Sequence, residues 1–294
     1  MNSLRKSVLI TGCSAGGIGG ALADAFHAKG YHVFATARNP SKVSPSLSSA
    51  ANVTVLKLDV LSTESIAAAV ESVKSQTGGG LDVLVNNSGG GYTLPALDVS
   101  IDESKKLFEL NFWAPLTMLQ AFAPLLIKTK GCIVNNSSVN AIAPMPLMSI
   151  YNSSKAALLS ASETWRHELQ PLGIRTITLL TSAVKTNFFS EHPAADVPDD
   201  SQYFEIRDFI HGLVDGRMQE NGISAKQYAT KVVGEVEKGT VGVVWAGKDA
   251  STLRLLSWLL PQSVFVRLEL SLILDGYLIE RVGYDSAERH SDCS

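Results

Sequence analysis

Residues 7–11, Ser-Val-Leu-Ile-Thr, form a short apolar run that meets Gly12-Cys13-Ser14-Ala15-Gly16-Gly17-Ile18-Gly19 at once. The helical pattern Ala21-Leu22-Ala23-Asp24-Ala25-Phe26 follows directly. Strand, glycine loop and helix in so short a space fit few arrangements. Glycines let the backbone come close to a phosphate, whose charge then rests on the unpaired N–H groups of the helix's first turn. Further apolar runs, Tyr31 to Ala37, Val53 to Leu58, Leu81 to Val85, Gly131 to Asn136, Ile174 to Leu180 and Val241 to Trp245, are separated by segments of helical pattern. Seven strands alternating with helices predict an α/β fold, one doubly wound parallel sheet, with ligands at the C-terminal ends of the strands. Residues 1–250 are assigned to that domain and 251–294 to an apolar helical extension and tail.

The 294 residues suffice for one large core, and composition limits what such a domain does. A formal charge of −3 without a basic block argues against nucleic acid, since neutralising phosphates needs clustered Lys and Arg. Cys13, Cys132 and Cys293 are few and lack CxxC spacing, so neither a disulfide framework nor a zinc site is expected, and a reducing compartment fits. The N-terminus enters a strand with no apolar leader before it, which predicts a cytoplasmic protein. No metal constellation such as His-Glu-x-x-His occurs, so redox chemistry is expected to rest on a nucleotide alone.

The chemistry is expected between Ser137 and Lys155. A helix starting near Ile150 puts Tyr151 and Lys155 one turn apart on one face, an ammonium beside a phenol. The cation is expected to lower the phenol's pKa toward the working range of a general acid. Ser138, thirteen residues before Tyr151, closes the apolar run Cys132-Ile133-Val134, so its hydroxyl can reach the same substrate oxygen. Arg38 ends the second strand where dinucleotide folds often carry an acid for the adenosine ribose. An arginine there can pair with a 2′-phosphate, which predicts NADPH over NADH. Ser100-Ile101-Asp102-Glu103 reads as a capping box opening a helix through about Lys128. Within it, Pro115 has no N–H for the Asn111 carbonyl, so a bend that frees this carbonyl is predicted.

Together the glycine loop, Ser138, Tyr151-Asn152-Ser153-Ser154-Lys155 and Asn86-Asn87-Ser88-Gly89 resemble the short-chain dehydrogenase/reductase family. The resemblance implies a single-domain Rossmann-type fold with Ser138, Tyr151, Lys155 and Asn111 as the catalytic set, Asn111 holding a water that links the lysine to solvent. It further implies that Gly12, Ser14, Gly17, Ile18 and Gly19 hold NADPH or NADP+, and that Asp59 and Val60 contact the adenine; Asp59 reads equally as a helix cap. Asn87 and Gly89 would lie along the cofactor ribose, Tyr151 and Lys155 at the nicotinamide ribose. Val184 would hold the carboxamide and Thr186 the phosphate, although Thr181-Ser182 stands where the family has Pro-Gly. A homo-oligomer pairing the long helices is also implied. Pro95-Ala96-Leu97-Asp98, Leu126 to Gly131, Thr181 and the apolar tail resemble NADPH-dependent acyl-dihydroxyacetone-phosphate reductases, a branch shared with tailoring ketoreductases of fungal natural-product pathways and near hydroxysteroid and retinol dehydrogenases. The expected activity is reduction of a small-molecule ketone to a secondary alcohol. A nonenzymatic dinucleotide sensor is disfavoured because tyrosine and lysine are both present, and a sugar-nucleotide epimerase by its glycine spacing.

Residues 187–223 lack a strand pattern and are expected to form a substrate lid, with Phe188, Phe189, Tyr203, Phe204 and Phe209 either lining an apolar pocket or simply packing. Residues 253–278 are mostly apolar, but Arg254, Pro261, Arg267, Glu269 and Asp275 argue against a membrane span. With Ser263 as cap and Gly276 as stop, Arg267, Ser271 and Asp275 form one polar stripe. A pocket wall, a subunit partner or a lipid surface such as the endoplasmic reticulum or a lipid droplet would cover the rest, with protein packing preferred over lipid.

Overall fold

The computed structural model describes residues 5–192, 195–216, 219, 221–261 and 264. Strands β1 (Ser7–Ile10), β2 (His32–Ala37), β3 (Val53–Lys57), β4 (Val83–Asn86), β5 (Cys132–Asn136) and β6 (Arg175–Thr181) are followed by the short strands β7 (Val184–Lys185) and β8 (Ile223–Ser224), and then by β9 (Gly242–Ala246). Seven of them form one parallel sheet in the order β3-β2-β1-β4-β5-β6-β9, while β7 and β8 pair by themselves. The helices are α1 (Ile18–Ala28), α2 (Pro45–Ser48), α3 (Thr63–Thr77), α4 (Ile101–Phe108), α5 (Ala114–Thr129), α6 (Ser149–Leu169), α7 (Phe188–Glu191), α8 (Arg207–Gly212), α9 (Ala225–Glu237) and α10 (Ala250–Leu259).

The period-two alternation of a strand sorts the apolar runs onto two faces. Val8, Ile10, Val33, Ala35, Val83, Val85 and Val134 pack with Leu22 and Phe26 of α1 and with Tyr228, Val232 and Val233 of α9. Leu9, Phe34, Leu84 and Ile133 point the other way, toward α3, α5 and α6, where Ile66, Val73, Phe122, Leu126 and Leu158 meet them. Each such side chain contributes roughly 1.5–3 kcal/mol by burial, so the central strands are apolar on both faces. Strand order reverses between β1 and β4, which opens a crevice at their C-terminal ends.

Two local expectations are corrected. The helix from Ser100 is not a simple bent helix. Residues Glu109–Trp113 form a π-turn in which the Ala114 N–H bonds Glu109 O, five residues back. This wider turn accommodates Pro115 two residues into α5. The capping box at its start is half made: Ser100 accepts the Glu103 N–H at 3.3 Å, but the Glu103 carboxylate turns to Lys106 Nζ at 2.7 Å. A complete box occurs instead at Ser224 and Gln227, opening α9.

In the lid region, Val197 and Ile210 pack with Leu94 and with the partly buried Tyr92, Leu147 and Tyr203. The fold divides after Ser251. Beyond that point Leu255, Trp258 and Leu259 of α10 are exposed, Trp258 to 82%. The expected polar stripe of Arg267, Ser271 and Asp275, with its Ser263 cap and Gly276 stop, lies outside the described residues, as does Cys293.

Candidate active site

The crevice begins with the loop between β1 and α1. Gly12 has φ +74°, and a Cβ on Gly19 would stand 2.2 Å from Gly12 O, so neither position accepts a side chain without distortion. Helix α1 opens after Gly17, which offers no side-chain cap, and has no acid in its first turn, leaving N–H groups for an anion. Farther along the loop the Ala15 N–H bonds Lys42 O at 2.8 Å. Thr11 ties β1 to β4: its hydroxyl accepts the Asn87 and Ser88 N–H groups, each at 2.9 Å. Asn87 Nδ2 returns to Thr11 O at 2.9 Å and Gly12 O at 3.3 Å.

Ser138, Tyr151, Lys155 and Asn111 come together beside this loop. The Ser138 hydroxyl lies near enough to the Tyr151 phenol to pull its pKa down, and it receives the Asn140 N–H at 3.2 Å. Lys155, buried on α6, lies 5.8 Å from the centre of the Tyr151 ring and donates to Asn136 O at 2.9 Å. A Cβ on Gly89 would touch both Asn111 Oδ1, at 3.1 Å, and Lys155 Nζ, at 3.3 Å, so the two groups converge on that glycine. Asn111 presents its side chain: Oδ1 accepts the Gly90 N–H at 2.9 Å, and Nδ2 donates to Gly90 O and Ser154 Oγ, both at 3.0 Å. Phe188 faces Tyr151 at 6.2 Å between ring centres and packs on His192 at 4.8 Å.

The electrostatics correct one expectation. Burial pushes the Tyr151 phenol above its ordinary pKa, against the Ser138 hydroxyl, which pulls it down. Burial also lowers Lys155 to about 8. Removal of the phenol from water outweighs the pull of Ser138 upon it. The phenol is thus held in its protonated, donating form. Burial likewise pushes the Cys13 and Cys132 thiols up to about 12, so they are unreactive packing groups.

The remaining expected residues ring the crevice. Arg38 stands exposed at the end of β2. Val60 is buried after β3; Asp59 accepts the Leu61 N–H at 3.0 Å, whereas the cap of α3 is Ser62, so Asp59 folds its own turn and is not the cap. Val184 is buried in β7, and the Thr186 hydroxyl receives the Phe188 N–H at 3.3 Å. Three groups at the floor were not expected from the sequence: Asn136, Thr181 and Tyr228. Their signal was faint, polar side chains at the ends of β5 and β6 and one tyrosine on the apolar face of α9.

A bare glycine cradle, an uncapped helix start and a cation at the end of β2 fit a dinucleotide. Comparison with known proteins agrees. The family model for short chain dehydrogenase matches residues 6–196. The chain is 45% identical over 259 residues to the short-chain dehydrogenase ptmH of Penicillium ochrochloron, covering 88% of this chain and 94% of that one. It is 36% identical over 275 residues to the NADPH-dependent 1-acyldihydroxyacetone phosphate reductase of Schizosaccharomyces pombe, covering 88% and 91%. A short-chain dehydrogenase structure from Streptomyces avermitilis superposes with a TM-score of 0.74 at 26% identity, covering 95% of this chain and 98% of that one. With its Rossmann-type sheet and this similarity along most of its length, the chain belongs to the short-chain dehydrogenase/reductase family of oxidoreductases.

Proposed function

We propose that this oxidoreductase uses NADPH to reduce a lipid-like ketone, such as an acyl-dihydroxyacetone phosphate, to a secondary alcohol. The observation that carries the reading is the buried Lys155, its ammonium 5.8 Å from the centre of the Tyr151 ring and bonded to Asn136 O at the strand end that leads to Ser138. When bound, the nicotinamide dinucleotide supplies the hydride. Tyr151 gives its phenolic proton to the carbonyl oxygen, and Ser138 hydrogen-bonds that oxygen and orients it. Lys155 holds the nicotinamide ribose and stabilises the phenolate left behind, while Asn111 fixes the Gly89–Gly90 turn against it. Gly12, Ser14, Gly17, Ile18 and Gly19 cradle the pyrophosphate, and Arg38 takes the 2′-phosphate. Asp59 and Val60 border the adenine, Asn87 and Gly89 the ribose, and Val184 and Thr186 the nicotinamide end.

NADPH is supported by Arg38 and by the name of the fission-yeast relative. A second reading, a tailoring ketoreductase of a fungal pathway, is favoured by the higher identity to the Penicillium dehydrogenase. Following NADPH loss with an acyl-dihydroxyacetone phosphate, a steroid ketone and a set of polyketide ketones separates them. Turnover of none of these overturns the ketone reading. The exposed Leu255, Trp258 and Leu259 support lipid-surface contact of a cytoplasmic protein, and the exposed Trp113 and Ile127 support a homo-oligomer through the long helices. Co-sedimentation with vesicles and sedimentation velocity test these two points.

A further inference from the structure

Thr181 ends β6 at the position where the family pattern carries proline, and its hydroxyl is engaged twice. It donates to Asn136 Oδ1 at 2.5 Å and lies 2.6 Å from the Tyr228 hydroxyl. We propose that Tyr228 is a positioning residue for Lys155, acting through Thr181 and Asn136. The reading of Lys155 and Tyr151 as the reacting pair underlies it.

Proton counting gives the chain of bonds one direction. An amide oxygen only accepts, so the single Thr181 proton goes to Asn136 Oδ1. Tyr228 then donates to Thr181 at 2.6 Å, the shorter of its two contacts, the other being Asn136 Oδ1 at 3.4 Å. With its oxygen so occupied, Asn136 presents Nδ2 to Asn87 Oδ1 at 3.0 Å. Asn87 in turn presents Nδ2 to Thr11 O and Gly12 O. The bonds run head to tail from α9 to the glycine loop, each polarising the next. Lys155 hangs from the middle of this chain, because its ammonium bonds the main-chain oxygen of Asn136. Ser138 touches the other side of Thr181, its hydroxyl 3.5 Å from Thr181 O. Tyr228 is fully buried. Packing alone would be served by phenylalanine without the cost of burying a hydroxyl, and a proline at 181 would break the link.

The groups facing Lys155 are Tyr151 on its own helix, Asn136 at the end of β5, and Asn111 on the π-turn. Tyr228 reaches it through Asn136, by way of Thr181 and by its own longer bond to Asn136 Oδ1 at 3.4 Å. Of these only the two tyrosines titrate. A loosened Asn136 carbonyl stabilises the ammonium less, so the lysine should lose its proton at lower pH.

The test is an NMR titration of the full chain carrying ¹³Cε-lysine, with the Lys155 signal assigned by its absence from Lys155→Arg. Tyr228→Phe and Thr181→Val should each move the Lys155 midpoint down by about half a unit, whereas Thr181→Ser, which keeps the hydroxyl, should restore the wild-type value. The double variant should shift no further than either single one. With the ketone turned over in the panel above, kcat should fall about tenfold in both hydroxyl-free variants while KM for NADPH stays within about twofold. An unmoved Lys155 midpoint in both variants, or a loss that Thr181→Ser shares, overturns the inference. Wild-type turnover in Tyr151→Phe would instead overturn the reacting pair and leave this titration result standing.

Discussion

The two banks of the crevice are built on different principles. The bank at β1 and β4 works through backbone: glycines at 12 and 19 that admit no side chain, an uncapped helix start, and Asn87 bonded to main-chain oxygens. The bank at β5, β6 and α9 works through side chains from distant parts of the sequence, Ser138, Tyr151, Lys155, Asn136, Thr181 and Tyr228. A backbone-made bank recognises what every dinucleotide shares. A bank made of side chains sets proton affinity and can be retuned one residue at a time.

The comparison can be broken by substitution, beginning with the largest effect. Tyr151→Phe removes the transferable proton and should lower turnover by about a thousandfold, within the range of general-acid catalysis, with NADPH binding by fluorescence titration unchanged. Retained turnover would show that the side-chain bank is not the chemical one. Gly19→Val puts a branched side chain against Gly12 O. It should abolish NADPH binding and destabilise the fold by roughly 1–3 kcal/mol, read by titration and thermal melting; normal binding would show that the backbone bank yields.

Arg38→Asp tests the cofactor contact on the first bank assigned to a cationic side chain. It should shift preference from NADPH toward NADH by roughly tenfold or more, measured as the ratio of kcat/KM values, and an unchanged ratio would place the 2′-phosphate elsewhere. The pH profile sharpens the second bank. Burial sets Lys155 at about 8 and holds Tyr151 protonated, so ketone reduction should persist through neutral pH and fall as pH rises past about 8, where the ammonium is lost. A flat profile to pH 10 would remove Lys155 from that role. The smallest effect should come from the exposed ion pair that joins the banks, Lys42 Nζ to Glu191 Oε1 at 3.6 Å. Glu191→Gln should cost less than about 1 kcal/mol, and a larger loss in melting would mean the rim holds the banks together.

Much of the first bank was legible because its signal is local. Strand, loop and helix lie within about twenty residues, and a glycine in a tight turn has the same meaning wherever the chain goes. Ser138, Tyr151 and Lys155 were legible for a related reason, since a helical turn brings Tyr151 to Lys155 and a strand end brings Ser138 near them. The direction of the Tyr151 shift was not, because it depends on how much water α6 loses when it packs. Nor was the π-turn at Glu109–Trp113, one of several ways a helix can accommodate Pro115.

The alternation of apolar runs with helical segments by itself pointed to a parallel sheet covered by helices on both faces, since strands apolar on both sides must be buried on both. Residues 7–19 by themselves determined a strand, a glycine turn and an uncapped helix start. Only the tertiary structure decided that Asn136, Thr181 and Tyr228 meet beneath Lys155, because residue 136 lies 45 positions from 181 and 92 from 228. Hydrogen bonds act over about 3 Å, and across such separations no sequence period says which side chains will stand that close.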